Sequence, residues 1–274
     1  IYHLSLKYKS NAAISQFLSS VKIGKRIDYG TSYIYSSKEL EQEKEVSDFD
    51  QLIAHENTNA SLSEAKKQII HDYFKKDENL FSLPSKEIKS YEIKNVIIHF
   101  FATYYEDKNT SFGIDFILDF LEKDFFNDSF IEAQKVKEKF LRSAEYSYVT
   151  SACGLISSIF GKLDRKIDLV YAERFLAIVR RVYNSNKASD NITEYYSTYF
   201  SSIASKTNTG RAAENIIFIA IWAETNYRES DFTKNIFSSI KHEIQSNQLV
   251  LTAVFALYLG HFYNLKEDWA EMLF

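Results

Sequence analysis

Ile216-Ile-Phe-Ile-Ala-Ile-Trp-Ala223 returns 37 residues later as Ala253-Val-Phe-Ala-Leu-Tyr-Leu-Gly260. The same shift lays Asp231 on Asp268, Phe232 on Trp269, Ile236 on Leu273 and Phe237 on Phe274. Self-similarity at a fixed spacing of this size marks a chain built from stacked supersecondary units. Each copy reads as an apolar helix, a polar turn ending in Asp-aromatic that would close the turn, and a second, amphipathic helix. A helix that is apolar all round belongs at the centre of a large helical domain. The longest apolar run, Leu249 to Tyr263, is broken by His261. It falls short of the roughly 20 residues that a bilayer span needs, so no membrane role is expected.

Composition supports the helical reading. The 274 residues include one proline and seven glycines, where average usage would supply roughly 14 and 19. Hairpins and bulges consume both residue types, because they need a fixed φ or a positive one. Helices can end on Asn, Ser or Lys. The expected fold is therefore all-α, with antiparallel helical hairpins stacked as a repeat array or solenoid-like domain over residues 61–274. Ser61-Leu-Ser-Glu64 and Ser129-Phe-Ile-Glu132 fit the capping box. Ser85, after Pro84, is the expected cap of a helix carrying Ile93, Val96, Ile97, Phe100 and Phe101. Further helices are expected from about Ser111, Asp164, Asn191, Thr209, Ser230, Asn247 and Asn264, spaced as antiparallel helices joined by short loops. Residues 1–60 read differently. Two glycines and an aromatic cluster over residues 23–35 suit a short β segment, and Glu39 to Asp50 reads as an acidic linker.

The C-terminal copy carries Leu259-Gly260-x-x-Tyr263 followed by Asp268-Trp269, and in this it resembles tetratricopeptide-type repeats. The upstream copy keeps Ala223 and Asp231-Phe232 but has Asn226 where that family prefers Tyr. The period is 37 rather than the family's 34, and a HEAT-like or degenerate tetratricopeptide array accounts for the pattern equally well. The resemblance implies a groove lined by first-helix residues, here Glu224, Tyr227 and Arg228 in one copy and His261 and Asn264 in the next.

The formal charge of −4, with 33 basic and 37 acidic side chains interspersed, gives no global field for nucleic acid or anionic membranes. Cys153, alone, cannot form an internal disulfide, which fits a reducing compartment and a cytoplasmic location. The chain opens on Ile1 and its one methionine is Met272, so a piece of a larger protein is expected.

Candidate chemistry is sparse. No H-E-x-x-H and no pair of histidines at i, i+4 occurs among the six. His55, His71-Asp72, His99 and Asp115 loosely resemble the ligand order of HD-domain phosphohydrolases, in which adjacent His and Asp hold a water-activating metal. HEPN ribonucleases place His four to six residues after Arg, and no arginine here does; Arg228 is followed only by His242. Cys153 sits in Thr150-Ser-Ala-Cys-Gly-Leu-Ile156, which suits a buried, inert thiol. No phosphate-cradling glycine loop is present. Arg174, Arg180, Arg181 and Lys187, followed by Tyr195, Tyr196 and Tyr199, suit a basic-aromatic nucleic-acid surface; the alternative is a few arginines on a solvated face, with Tyr195 and Tyr199 packed inside a hairpin.

The function expected from these residues is a non-catalytic helical-repeat scaffold or sensor module that binds a protein or peptide and needs no cofactor. The alternatives are an HD-like metal-dependent hydrolase and a nucleic-acid-binding repeat protein.

Overall fold

The computed structural model describes residues 64–76, 88–133, 143–186, 207–246 and 249–265. All of them belong to one compact unit, Glu45–Phe274. Among the described residues, regular structure is entirely helical: α1 (Glu64–Lys75), α2 (Tyr91–Asp107), α3 (Ile114–Phe125), α4 (Asp128–Ala133), α5 (Ala144–Phe160), α6 (Leu169–Asn186), α7 (Asn208–Tyr227), α8 (Asp231–Gln245) and α9 (Leu249–Leu265). The all-α expectation is met. The β segment at 23–35, the acidic linker, the Ser61 cap and the helix expected from Asn191 lie outside the described residues, as does the Asp268–Phe274 half of the second repeat copy; the helix carrying Ile93 to Phe101 is capped by Ser90 and not by Ser85, because the Ser90 hydroxyl takes the Ile93 N–H.

Side-chain caps set the helix starts. Ser90, Ser143, Thr207 and Ser230 each accept a hydrogen bond from the backbone N–H three residues on, at 2.9 to 3.4 Å. Each satisfies a donor that the first helical turn leaves orphaned. At α4 the expected cap moves. Asn127, not Ser129, accepts from a backbone N–H, that of Ser129 itself at 3.0 Å, and the capping box is not used. A further helix, α5, starts behind Ser143. α9 runs through Asn264 without a break, because nothing there stops a helix that is apolar on every side.

The helices form two rows. α2, α5 and α7 lie side by side, and the seams between them show that they run parallel. Near their starts, Ser151 of α5 donates to Asn95 of α2 at 3.0 Å, while Asn95 donates to the Ala144 carbonyl at 2.8 Å. Thr150 and Ser157 of α5 donate to Asn208 and Asn215 of α7 at a constant separation of 58 residues. Small buried residues on both sides of that seam, Ala152, Cys153, Ala212 and Ala213, let the backbones approach. Asn215 also donates to the Cys153 carbonyl at 2.9 Å. The second row, α3, α6 and α8, is parallel within itself: Asp119 of α3, then Asp128 just beyond its end, meet Arg174 and Arg181 of α6 in order, and Glu173 of α6 shares a cleft with Asp231 at the start of α8 while Arg180 meets Glu243 farther on. It runs opposite to the first, since the end of α7 meets the start of α6, where the Tyr227 hydroxyl donates to the Ile167 carbonyl at 2.9 Å. α1 packs on α2, and α9 packs on α7 and α8. The two sequence stretches related by the 37-residue shift thus lie in neighbouring helices, α7 and α9.

Among the described residues, the chain reverses through short connections at α2–α3, α5–α6 and α7–α8. Between α2 and α3, Gly113 takes φ 78°, a left-handed conformation that glycine adopts without steric cost. Between α7 and α8 the turn is closed by Ser230, with Thr233 donating to the Tyr227 carbonyl at 2.7 Å. Asp231 faces solvent there and takes no part in closing the turn.

Aromatic side chains fill much of the core. Phe74, Phe100 and Phe101 join α1 to α2, while Tyr91, Phe125, Phe130 and Tyr148 form one cluster across α2 to α5. Phe160 lies edge-on to both Phe175 and Trp222, which ties α5 to α6 and α7. Among the described residues no helix is long and apolar enough to cross a membrane.

Candidate functional site

The charged side chains sort into those that hold helices together and those left facing solvent. Arg165 belongs to the first group and is buried at the ends of α2 and α5. Its guanidinium donates to the carbonyls of Ser158 and Ile159 at 2.9 and 2.6 Å, to Lys108 at 3.0 Å and to Tyr105. These are carbonyls that helix ends leave unpaired, and the negative ends of two helix dipoles converge on one cation. Burial lowers its pKa from the ordinary arginine value, and the proximity of Tyr105 and Asp164 opposes that shift. Lys94 of α2 and Asp124 of α3 form a buried ion pair with contacts of 2.9 and 2.8 Å to the two carboxylate oxygens. The Lys94 ammonium also lies 4.7 Å from the Tyr91 ring centroid and 5.8 Å from that of Tyr148, within cation–π range. Burial, then the Asp124 charge, push the Tyr148 phenol well above its ordinary pKa.

The arginines expected to form a basic stripe are engaged in the second row. Arg174 holds Glu122 through two bonds, at 2.8 and 2.7 Å, and Asp119 at 2.7 Å; those bonds, Glu122 first, raise its pKa further. Arg180 donates to Glu243 and Ser239 of α8 at 2.8 and 2.9 Å. Arg181 pairs with Asp128 and covers the Phe126 ring. Each arginine is matched by a carboxylate 52 to 63 residues away, so the row clamps helices and does not present the free cations that a phosphate backbone would need. Lys187, Tyr195, Tyr196 and Tyr199 lie outside the described residues.

The proposed groove residues divide. Glu224 is 1% exposed, and its carboxylate is covered by Arg228, whose Nε lies 2.9 Å away. Glu224 therefore cannot line a groove: the helix turns it inward, and Arg228 neutralises it from outside. Tyr227 is half-buried, with its hydroxyl used at Ile167. Arg228, His261 and Asn264 are exposed.

The candidate metal ligands do not gather. His71 and Asp72 are both exposed, with Nδ1 and Oδ1 3.9 Å apart; the His71 ring rests edge-on against Phe100, and Asp72 accepts from Gln68. His99 and Asp115 are exposed on α2 and α3, and His55 lies outside the described residues. Among the described residues no three His, Cys, Asp or Glu side chains come together as a metal site would need. Cys153 is buried, and burial pushes its thiol up to about 12.

A cleft of about 270 Å³ lies between α6 and α8. Leu176, Phe232 and Ile236 supply its apolar lining, and Glu173, Asp231 and Asn235 its exposed polar edge. Arg180 and Ser239, already bonded to each other, close one end. Among the described residues no hydrogen bond or ion pair engages Glu173 or Asp231. Sequence reasoning missed this cleft. Asp231-Phe232 was visible as a repeated pair, but its facing partners on α6 lie nearly 60 positions earlier, and no local pattern joins them.

On the first row, Glu214 of α7 accepts a hydrogen bond from the Tyr258 hydroxyl of α9. Burial raises the Glu214 carboxyl above its ordinary pKa, while the Tyr258 bond and the nearby Arg211 pull the other way.

Neither a protein-family profile, a curated protein nor a solved structure matches this chain.

Proposed function

We propose that this chain is a non-catalytic helical scaffold, of the tetratricopeptide- or HEAT-like hairpin kind, that binds a protein or peptide. The cleft between α6 and α8 carries the reading. Two parallel helices hold an apolar floor and a polar rim in fixed relation, and both are clamped by Arg180, so a partner segment meets a preorganised surface. Binding sites of this kind draw affinity from a few apolar and aromatic side chains at the centre, with a polar rim around them. A cytoplasmic location suits the scaffold, since Cys153 is a free, buried thiol that a reducing compartment preserves.

The test is selection of a displayed random-peptide library on the intact chain, followed by binding measurements on Asn235→Trp, which places an indole at the mouth of the cleft. The reading expects enriched peptides that bind the parent and lose affinity about tenfold or more to the variant, with helical circular dichroism unchanged. Failure to enrich any peptide, or equal affinity for both proteins, contradicts it.

A further inference from the structure

The geometry points to a basic side chain, lysine or arginine, as the group that the α6–α8 cleft takes from its partner segment. This rests on the scaffold reading and names its ligand chemistry. Three observations converge. Glu173 and Asp231, on neighbouring helices, line the same cleft and are both exposed. Among the described residues neither is engaged by a cation, in contrast to Asp119, Glu122, Asp128 and Glu243 of the same row. Arg180, the cation that lines the cleft, is already committed to Glu243 and Ser239.

The floor favours the same ligand. The half-buried Leu176 and Phe232, over the buried Ile236, supply apolar lining to the same cleft as the carboxylates. Lysine and arginine are the side chains that carry a hydrocarbon stem and a cation together, so the stem can lie on the floor while the head reaches the rim. The half-buried Phe232 ring adds an aromatic face for the cation. The Asn235 amide, with both a donor and an acceptor, can meet the partner's main chain. An acidic or purely aliphatic segment would leave two carboxylates facing it unpaired, which selects against it.

The experiment uses the intact chain and peptides selected on it from a displayed random library. Affinities are compared for the parent, Glu173→Gln/Asp231→Asn and Asn235→Trp, each at low and raised salt. The inference expects peptides sharing a lysine or arginine, a loss of about tenfold or more in the charge-neutral variant, and weakening with salt in the parent alone. Peptides with no basic residue, or peptides that lose affinity to Asn235→Trp but bind the charge-neutral variant as tightly as the parent, would overturn the inference and leave the scaffold reading intact. Peptides indifferent to both variants would overturn the two together.

Discussion

The indole N–H of Trp222 donates to the backbone carbonyl of Arg165 at 2.8 Å, and the Arg165 guanidinium in turn ties the ends of α2 and α5. Three helices of the first row are thereby joined through one residue in the α5–α6 connection. Lysine cannot replace the planar fork, because its three N–H donors radiate from one nitrogen and cannot reach the carbonyls of both helix ends at once. Each lost bond from a charged donor is worth about 1.5–3 kcal/mol. Arg165→Lys is therefore expected to lower unfolding stability by about 3 kcal/mol, measured by urea denaturation. A change under about 0.5 kcal/mol, the range of ordinary surface substitutions, would show that the fork is not what holds the helix ends.

The Lys94–Asp124 pair makes a second, separable prediction. Removing one partner leaves an uncompensated buried charge, so Asp124→Asn should cost about 3–5 kcal/mol. Replacing both with apolar residues, as in Lys94→Met/Asp124→Leu, should cost much less than the two single changes added together. A double-mutant cycle reads this directly, and additive losses would refute the coupling.

Glu214 gives a signed pH dependence. Its folded pKa is raised, so the folded state holds the proton more tightly than the unfolded state does. The resulting stabilisation is full below the ordinary carboxylate range and is lost as pH rises through the raised value. Glu214→Gln keeps an acceptor for Tyr258 without the charge. Stability measured from mildly acidic to neutral pH should therefore fall less steeply in this variant than in the parent. Equal slopes would mean that Glu214 does not titrate with folding.

Cys153 is expected to be silent towards a thiol reagent at neutral pH in the folded protein and to react once the chain is unfolded in denaturant, since burial both hides the thiol and disfavours the thiolate. Labelling followed by mass spectrometry decides it. Rapid modification of the native chain would contradict the closely packed α5–α7 seam.

Local features were read from the sequence more reliably than distant ones. The caps at Ser230 and near Thr209, the apolar face of Ile93, Ile97 and Phe101, and the buried Cys153 depend on neighbours within a turn or two, where period and capping chemistry apply. The roles of Arg174, Arg180 and Arg181 depend on carboxylates more than 50 residues away. On sequence alone they look like free cations. Glu224 shows the same limit: its position on a helix was evident, but the Arg228 side chain folded over it was not. The start at Ser143 was hidden by a competing capping box at Ser129, which the Asn127 side chain displaced. The cleft was illegible because its two walls come from helices joined only through the fold.

Hydrogen exchange on the intact chain, with and without a peptide selected on it, tests the proposed scaffold role most directly. If the cleft is the binding site, added peptide will slow exchange in the first half of α8, around Phe232 to Ser239, and in α6 around Glu173 to Arg180, and leave α2 and α5 unchanged. Protection confined to α2 and α5, or no protection at saturating peptide, would contradict a binding site between α6 and α8.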